Sequence, residues 1–480
     1  MNQSMPLKTK ALEMMSQRIA MPAPTDTETF QVFNPFTGAS VGELCSADPS
    51  EINEKVAMAR RAAEEFRFST PYQRRSLIEK IVALVARDRE ILAATVCAEV
   101  GKTITEALRE IIRAGNTLRL SGDATTFLDG EVLHCGVVAQ GVDRQAVVTY
   151  VPTGVVAAIT PFNYPVNLLC HKLGPALAAG NAVIVKPSPK APLAAQHLVD
   201  LCQEAGAPKG LVQIVHGGAE CALSLVRAPI DLLSFTGGPA GGLALKQASG
   251  LVRCLMELGG NDPLFVLPDA DLDAAAKTAV LQRFEIAGQS CAAVKKLYIH
   301  ESVRKSFLDR LMPLVEATSL GDPAEPATHM GPVIDEAAAQ EVMDRLEEAT
   351  HRGARILAGG TRTGTMVAPT VIDRLDPNTR LLKTETFGPV LALRGFTDLN
   401  AAMAEINASD YGLQAGIYSN SHDQIRKLAR GLRVGGVMVN EGPDFRAEHV
   451  PFGGVKGSGL GREGVRIAIR EMSETKVVID

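Results

Sequence analysis

Apolar positions recur at two different spacings along the chain. Between residues 51 and 127 they fall three and four residues apart, as in EINEKVAMARRAAEEF and RRSLIEKIVALVARDREIL, which predicts amphipathic helices. From 145 to 257, short β-branched runs such as GVVAAI and AVIVK are separated by helical stretches such as KAPLAAQHLVDLCQEAG. This alternation predicts right-handed βαβ units and a parallel sheet, with ligand sites at the strand ends.

A second alternation of strands and helices runs from about residue 262 to residue 440. It predicts strands at KLYIH, ARILAG, PVLAL, AGIYS and GVMVN, and therefore a second α/β domain. Two β-rich pieces, residues 131–151 and the terminal ETKVVID, fit neither alternation. Hairpins and tails of this kind pair with the sheet edge of another subunit or with an edge in their own chain.

Charge, length and cysteine usage narrow the class of protein. A chain of 480 residues predicts more than one domain. The net charge of -5 and the lack of a long basic tract argue against a nucleic-acid partner and favour small molecules. Eight cysteines without a CxxC pair or a short Cys/His cluster predict free thiols and no metal site.

Targeting signals are weak in this sequence. No stretch is apolar for long enough to span a bilayer, and the first 22 residues carry basic residues without a continuous apolar core. We therefore expect a cytoplasmic protein with free thiols and no membrane partner. A transit peptide over the first twenty or so residues is the alternative, and Glu13 and the sparse arginine argue against it.

Three motifs fit a ligand site at the ends of the predicted strands. Asn163 in TPFNYP (160–165) lies where an amide can direct its N–H at a ligand oxygen. Lys186 ends AVIVKPS, where a cation can hold a cofactor hydroxyl or phosphate. FTGGPAGG (235–242) is a glycine-rich turn whose backbone amides suit a pyrophosphate. Taken singly, each also fits a structural role as a turn asparagine, a surface lysine or a flexible loop.

Two further motifs carry reactive side chains. Cys291 in GQSCAAVKK lies in a lightly built turn, whereas a cysteine that only fills a core normally has bulky apolar neighbours. Glu257 in LMELGGND ends a predicted strand before two glycines, and its carboxylate suits a general base. Taken alone, Glu257 equally fits a solvated surface carboxylate.

The order of these motifs is more specific than any one of them. TPFNYP, VKPS, FTGG, ELGGND, GQSC, ETFGPV (385–390) and PFGGVKGSGLGREG (451–464) together resemble the aldehyde dehydrogenase superfamily from about residue 30 to the C-terminus. The resemblance implies an α/β fold with a Rossmann-like cofactor domain, a second α/β catalytic domain and a small β oligomerisation element. We expect these at 1–128 with 150–258, at 259–450, and at 129–149 with 465–480.

The resemblance also implies NAD(P)-dependent oxidation of an aldehyde to its carboxylic acid. Cys291 would attack the carbonyl, and the Asn163 amide and the Cys291 backbone N–H would hold the oxyanion of the thiohemiacetal. After hydride transfer, Glu257 would activate the water that hydrolyses the thioester. An unperturbed thiol has a pKa of about 8.5, and the sequence does not identify the group that lowers the pKa of Cys291.

The implied cofactor site draws on both predicted domains. Lys186 would bind the adenosine ribose, Glu385 the ribose on the nicotinamide side, and Phe387 would lie near the nicotinamide. NAD is the expected cofactor and NADP remains possible, because Pro189 stands where many NAD-preferring members have glutamate. Gly238 stands where many relatives have serine, so contact with the pyrophosphate would rely on backbone amides. The complete expected set is Thr160, Pro161, Phe162, Lys186, Ser188, Phe235, Thr236, Gly237, Gly238, Glu385 and Phe387.

The substrate is the least defined feature. NLLCHKLGPAL and VPFGGVKGSGLGREGV resemble the branch with lactaldehyde, phosphonoacetaldehyde and non-phosphorylating glyceraldehyde-3-phosphate dehydrogenases, which implies a small polar or anionic aldehyde. Arginine forks suit such anions, although arginine on a helix usually lies on a solvated face. Ser290 stands where phosphate-handling relatives often have arginine. The substrate candidates are Arg109, Arg113, His171, Ser290, Arg446 and His449.

Three other functions remain open for the sequence. A CoA-acylating enzyme would release the same thioester to CoA, and the presence of Glu257 favours water instead. A cysteine hydrolase would not need Lys186, Glu385 and the glycine-rich turn. A non-catalytic protein would not need Cys291, Glu257 and Asn163. By family analogy we expect a homodimer or homotetramer that pairs through residues 131–151 and the C-terminal strand.

Overall fold

The computed structural model describes residues 28–480. The possible transit peptide and the first part of the expected cofactor domain lie outside the described residues. The described chain begins with an antiparallel strand pair, and four helices then occupy residues 49–124, as their apolar spacing predicts. Asp48, Thr70 and Thr103 cap three of these helices with their side chains, because each accepts a backbone N–H of the first turn. The elements are β1 (Thr29–Phe33), β2 (Ser40–Cys45), α1 (Pro49–Phe66), α2 (Pro71–Arg87), α3 (Arg89–Val100) and α4 (Ile104–Ala124).

The predicted hairpin follows α4 and stands apart from both main sheets. Strands β3 (Glu131–His134) and β4 (Gln145–Pro152) are antiparallel, with two short 3₁₀ turns between them. The C-terminal strand β20 (Ser473–Ile479) pairs with the other side of β4, which gives the order β20-β4-β3. Residues 131–151 and the chain end therefore pair with each other inside one chain.

The parallel sheet predicted over residues 145–257 is present. Its strand order is β19-β9-β8-β5-β6-β7, and its central strands are buried on both faces, as their continuous apolar runs indicate. Strand β19 (Gly459–Leu460) is the exception, because it runs antiparallel to β9. The others are β5 (Val155–Ile159), α5 (Asn167–Ala179), β6 (Ala182–Lys186), α6 (Leu193–Glu204), β7 (Val212–Ile214), α7 (Ala219–Arg227), β8 (Leu232–Thr236), α8 (Pro239–Ala248) and β9 (Arg253–Glu257).

The second sheet contains all five strands predicted between residues 262 and 440. Its order is β12-β15-β16-β11-β10-β17-β18, and β12 alone pairs antiparallel within the described sheet. The elements are β10 (Pro263–Val266), α9 (Leu272–Phe284), β11 (Lys296–His300), α10 (Arg304–Glu316), α11 (Glu336–His351), β12 (Arg355–Ala358), β13 (Arg362–Thr363), β14 (Met366–Val367), β15 (Thr370–Asp373), α12 (Arg380–Lys383), β16 (Val390–Phe396), α13 (Leu399–Asn407), β17 (Gln414–Tyr418), α14 (His422–Gly431) and β18 (Gly436–Val439).

The C-terminal segment is divided between two parts of the fold. Helix α15 (Val465–Glu471) packs against α4 and α5, and Val465 and Ile469 are buried in the core of the first sheet. Residues 473–479 alone join the three-stranded sheet. Because β19 pairs with β9, the loop after β18 leaves the second sheet and returns to the first, beside Glu257.

Candidate active site

Cys291 follows a backbone turn of unusual conformation. After α9 the residues Ile286, Ala287 and Gly288 all have left-handed φ angles, of 50°, 50° and 72°. A β-branched residue seldom adopts this conformation, so the surrounding contacts must hold it in place. Glu106 on α4 does so, because its Oε1 accepts the Ile286 N–H at 3.0 Å. At Gly288 a side chain would be strained by φ and would also lie 2.5 Å from the Gly388 carbonyl oxygen.

Gln289 connects this turn to the loop that carries Asn163. The Gln289 side-chain amide donates to the Ile286 carbonyl at 3.0 Å, and its Oε1 accepts the Ile334 N–H at 2.9 Å. Its backbone carbonyl accepts the Asn163 Nδ2–H at 2.8 Å. A side-chain amide nitrogen has two N–H donors. One donor of Asn163 therefore fixes the loop, and the second remains for an oxygen on a ligand.

The Asn163 loop is held by the buried carboxylate of Glu110 on α4, which is paired with Lys102 just before that helix. Glu110 Oε1 accepts the backbone N–H groups of Val166 and Asn167 at 2.9 and 3.0 Å, which caps the start of α5. Its Oε2 pairs with Lys102 Nζ at 2.6 Å, and that ammonium lies 3.7 Å from the ring centroid of Tyr164. Sequence reasoning missed Lys102, Glu106 and Glu110. The available signal was two acids spaced by four on the otherwise apolar face of α4.

Cys291 lies in an apolar contact cluster with Ala292, Leu413 and Phe452. Burial raises the pKa of its thiol, and the Lys295 ammonium is the principal group that opposes this shift. The carboxylates of Asp444 and Glu385 raise the pKa further. Ser290, beside the cysteine, donates from its hydroxyl to Asp444 Oδ1 at 3.0 Å.

Glu257 ends β9 and is buried without a full set of partners. Its Oε2 accepts no hydrogen bond from any described residue, and a side chain at Gly453 would lie 2.5 Å from its Oε1. Burial, and then the neighbouring Glu463, raise the pKa of Glu257. A carboxyl group with a raised pKa is a stronger base once ionised, so the position suits proton transfer.

Glu463 next to it is fully paired. Lys172 Nζ lies 2.7 Å from Glu463 Oε1, and Arg446 Nη2 donates to Oε2 at 2.9 Å. Although burial opposes the shift, Lys172 and Arg446 hold the pKa of Glu463 well below its usual range. Lys172 also donates to the Thr236 hydroxyl at 2.7 Å, which connects this group to the end of β8.

The adenosine side of the expected cofactor site contains polar atoms that lack partners. Lys186 ends β6, its Nζ has no hydrogen bond or ion pair within residues 28–480, and burial lowers its pKa. The Thr160 hydroxyl likewise has no partner in the described part of the chain, and its backbone N–H donates to the Lys186 carbonyl at 3.1 Å. Pro161 and Phe162 follow, partly buried, and the Ser188 hydroxyl accepts the Lys190 N–H at 3.2 Å.

The glycine-rich turn leads from β8 into α8. The Phe235 ring lies against Gly237, where an added Cβ would be 2.5 Å away, and the Gly237 N–H donates to the Glu257 carbonyl at 3.0 Å. Gly238 is the N-cap of α8 and offers no side chain, and Pro239 has no N–H, so the amides of Ala240 and Gly241 are the ones available to an anion.

Glu385 and Phe387 lie on the other side of the expected cofactor site. Glu385 Oε1 accepts the Gly260 N–H at 3.3 Å, and a side chain at Gly259 would lie 2.0 Å from Oε2. The ring of Phe387 meets that of Phe162 edge to face, with 5.9 Å between centroids. Partnerless polar atoms, open amides and glycine contacts of this kind fit a bound dinucleotide.

The substrate candidates are ion-paired or fully buried in most cases. Arg109 Nη2 lies 3.1 Å from Glu285 Oε1, and Arg113 Nε lies 2.7 Å from Glu448 Oε1. The completely buried His171 contacts Glu448 Oε2 at 2.7 Å. Arg446 is held by Glu463 and stacks 4.2 Å from the Phe452 ring centroid. His449 is exposed on the same loop as Arg446.

The pKa values of His171 and Glu448 are shifted by their burial and by these contacts. Burial, reinforced by the charge of Arg446, lowers the pKa of His171 to about 4, so the imidazole is neutral near pH 7. His171 and Arg113 hold the pKa of Glu448 at about 2 in spite of its burial.

In the described residues no group of three or more His, Cys, Asp or Glu could hold a metal ion, and no helix is long and apolar enough to cross a membrane.

Comparison with known proteins agrees with this geometry. The model of the aldehyde dehydrogenase family matches residues 23–478. The chain belongs to the aldehyde dehydrogenase family. It is 38% identical to the sulfoacetaldehyde dehydrogenase of Neptuniibacter caesariensis, over 94% of this chain and 100% of that one. It is 37% identical to the 3-sulfolactaldehyde dehydrogenase of Priestia aryabhattai, over 95% of each chain.

A solved structure gives the same answer for the fold. The NADP-dependent glyceraldehyde-3-phosphate dehydrogenase from Bacillus halodurans C-125, complexed with NADP, superposes with a TM-score of 0.92 at 34% identity, covering 94% of this chain and 95% of that chain. The α/β fold with a Rossmann-like and a second α/β domain is thereby confirmed, as is an NAD(P)-dependent aldehyde dehydrogenase. Aldehyde oxidation is favoured over the CoA-acylating, hydrolytic and non-catalytic alternatives.

Proposed function

We propose that this aldehyde dehydrogenase oxidises a small polar or anionic aldehyde to its carboxylic acid. Cys291 is the nucleophile, and Asn163 with the Cys291 backbone N–H stabilises the oxyanion. Lys186 and Glu385 would hold NAD(P), which would supply the acceptor for the hydride that leaves the thiohemiacetal carbon. Glu257 then takes a proton from the water that hydrolyses the thioester, which restores the thiol and releases the acid.

The observation that carries the substrate class is the arrangement of two arginines on α4. Arg109 and Arg113 lie one helical turn apart, and each is paired with a carboxylate on a segment near Cys291. Glu285 belongs to the turn that leads to the nucleophile, and Glu448 to the loop that carries Asp444. An anionic group on the substrate can exchange with these carboxylates, because guanidinium groups bind carboxylate, sulfonate and phosphate in the same forked geometry.

The relatives support this class. Their names describe dehydrogenases of sulfoacetaldehyde and of 3-sulfolactaldehyde, both small aldehydes with a sulfonate. Ser290, in contact with Asp444, gives this chain a neutral group and a carboxylate next to the nucleophile. A carboxylate there disfavours a substrate of high negative charge, so we expect monoanionic or hydroxylated aldehydes to be preferred over phosphorylated ones.

The test is a panel of aldehydes assayed by the appearance of reduced nicotinamide. It contains sulfoacetaldehyde, 3-sulfolactaldehyde, lactaldehyde, succinate semialdehyde, phosphonoacetaldehyde and glyceraldehyde 3-phosphate, with propionaldehyde as the neutral control of similar size. We expect kcat/KM for at least one sulfonated, carboxylated or hydroxylated aldehyde to exceed that for propionaldehyde by about tenfold or more. This ratio corresponds to the free energy of about one charge-assisted hydrogen bond. Equal values across the panel would refute the proposed substrate class and leave the reaction intact.

Cofactor choice is tested in the same assay. Pro189 places no carboxylate after Ser188, and the Lys190 ammonium is paired with Asp335 at 2.7 Å. Position 189 therefore offers no side chain that would repel a 2′-phosphate. The phosphate could also replace Asp335 as the partner of the Lys190 ammonium. We propose that the enzyme uses NAD and also accepts NADP. The Lys190→Met variant should lose rate with NADP more than with NAD.

We further infer a homodimer or homotetramer formed through the three-stranded sheet. Both outer strands, β3 and β20, have a free edge in the described chain. The sheet and its connection expose apolar side chains, among them Val137 at 89%, Val132 at 59% and Val478 at 53%. Apolar patches of this kind on a sheet edge are covered by association, and a second copy of the same chain offers the matching edge.

Light scattering after size exclusion tests this assembly. The Val478→Asp variant should shift the wild-type oligomer towards the monomer, because a charge at the interface loses its hydration. Leu281→Asp is the matched control, since Leu281 is similarly exposed, at 57%, on α9 of the second α/β domain. A monomeric wild-type chain would refute the proposal.

We also propose a cytoplasmic location. All eight cysteines are free thiols, which supports a reducing compartment, and cell fractionation would check the location.

A further inference from the structure

Lys295 is a buried cation at the end of the GQSCAAVKK motif, and the sequence alone assigned it no role. It lies four residues after Cys291, where the chain enters β11, and its side chain is 2% exposed. A buried ammonium is costly unless it is hydrogen-bonded and paired with opposite charge. Its surroundings therefore identify what it holds in place.

The contacts of Lys295 converge on the nucleophile. Its Nζ donates to the Ser290 carbonyl at 2.7 Å and to the Cys291 carbonyl at 2.6 Å. On its other side, Glu385 Oε1 lies 3.3 Å from the same Nζ. One ammonium thus connects the two peptide groups at the nucleophile with the carboxylate of the nicotinamide side.

We propose that Lys295 is the positioning residue of the nucleophile: its ammonium fixes the carbonyls of Ser290 and Cys291 and supplies the positive charge that favours the Cys291 thiolate. Fixing these carbonyls also fixes the peptide that presents the Cys291 N–H to the oxyanion. The inference relies on the proposed function only for the identity of the nucleophile. It concerns the free enzyme, so it can be tested without turnover.

Four charged groups act on the thiol. Lys295 favours the thiolate, whereas Asp444, Glu385 and Asp262 disfavour it. Glu385 also shares the charge of Lys295 through their contact. Removing the lysine and removing this carboxylate must therefore change the reactivity of Cys291 in opposite directions, which a merely structural role would not produce.

The experiment measures alkylation of the full-length free enzyme by iodoacetamide as a function of pH. The thiolate sulfur displaces iodide to form a thioether, so the rate follows the thiolate fraction. Because the chain has eight cysteines, the modified Cys291 peptide is quantified by mass spectrometry. For Lys295→Met we expect the profile to move to higher pH, which slows alkylation at fixed pH by about tenfold for each unit of pKa. Lys295→Arg should restore most of the rate, and Glu385→Gln should move the profile to lower pH.

Lys296→Met is the matched control. Lys296 is the next residue and is equally buried, with Asp262 as the main opposite charge. Its loss should move the Cys291 profile much less than the loss of Lys295, because Lys296 acts on the thiol only through Asp262. The proposal is overturned if Lys295→Met keeps the wild-type profile, or if Lys295→Met and Glu385→Gln move it the same way. If Lys295→Met does not fold, Lys295→Gln, which is polar and uncharged, takes its place and is judged by the same two criteria.

Discussion

The surroundings of Cys291 differ from the proposed substrate rim in how their polar groups are paired. The substrate rim consists of Arg109, Arg113, His171, Arg446 and His449. Around Cys291 the reactive atoms are left without partners: the Asn163 amide keeps one N–H, and no described residue bonds to Glu257 Oε2. At the rim, each arginine and His171 is paired with a carboxylate, and the two buried atoms without a hydrogen bond, His171 Nδ1 and Arg446 Nε, belong to side chains that already have such a partner.

The difference separates two kinds of function. A buried polar atom without a partner costs free energy, so its retention indicates that a ligand or a reacting group completes it. A paired cation is stable without ligand, and it binds an anion only by exchange with its carboxylate. The proposed chemistry at Cys291 therefore needs no exchange of partners in the free enzyme, whereas the proposed substrate binding at the rim does.

The largest effect is expected from the nucleophile itself. Cys291→Ala should reduce aldehyde oxidation by at least about a thousandfold, because the proposed thioester forms on the sulfur of this residue. Reduced-nicotinamide formation under saturating aldehyde measures it. Cys254→Ala, in the strand that ends at Glu257, is the control and should stay near wild-type activity. Substantial oxidation by Cys291→Ala would show that another group is the nucleophile.

Glu257→Gln should separate hydride transfer from hydrolysis. We expect one rapid equivalent of reduced nicotinamide per active site, followed by turnover slowed by about 10²–10⁴-fold, the usual contribution of a general base. Rapid-mixing measurements of the nicotinamide signal resolve the two phases. Normal steady-state turnover in this variant would exclude Glu257 as the base.

Asn163→Ala should slow the formation of the thioester. Removing one oxyanion donor costs about 10²–10³-fold in kcat, and here the loss also frees the Gln289 carbonyl. Asn163→Asp is a useful companion, since it keeps the size and places a negative charge against the oxyanion. If both variants retained wild-type kcat, the oxyanion would have to lie elsewhere.

Substitutions at the substrate rim should have smaller effects on activity, and they should change KM more than kcat. Arg113→Met should raise KM for the preferred anionic aldehyde by about tenfold or more, as expected for one charge-assisted contact, and leave that for propionaldehyde nearly unchanged. The variant also leaves Glu448 with His171 at 2.7 Å and Arg446 Nε at 4.0 Å. The double variant Arg113→Met, Glu448→Gln removes this less compensated charge and should restore stability but not affinity for the anion. Recovery of the wild-type KM would contradict a binding role for Arg113.

The smallest effect concerns His171 and pH. Because its pKa in the folded protein, about 4, lies below the ordinary value of 6.5, the unfolded chain binds more protons between these values, and stability falls as the pH falls through this window. His171→Gln should therefore lose less thermal stability than the wild type between about pH 7 and about pH 5. An identical loss would contradict a neutral buried imidazole. Glu448, with a pKa of about 2, stays ionised throughout.

The sequence predicted the fold well where periodicity and strand composition agree. Both parallel sheets, the four helices before residue 125 and the strands of the second domain follow from local patterns. The pairing of the hairpin with β20, and the return of the chain to β9 through β19, could not be predicted, because both depend on contacts between distant segments.

The same limit applies to the site. Motif order indicated Cys291, Glu257 and Asn163, and their roles remain predictions. Ion pairs such as Arg113 with Glu448 connect residues 335 positions apart, and no local pattern records them. The supporting residues Glu106, Glu110 and Lys295 escaped notice because a buried charge looks like a surface charge in a sequence until its partners are known.

Helix α4 carries both kinds of residue on one side. Glu106 and Glu110 hold the nucleophile turn and the Asn163 loop, and Arg109 and Arg113, a turn further along, belong to the substrate rim. A small shift or rotation of this helix would displace reactive atoms and recognition groups together. Engineering a new specificity by grafting surface loops from a relative should therefore fail unless α4 is transplanted with them.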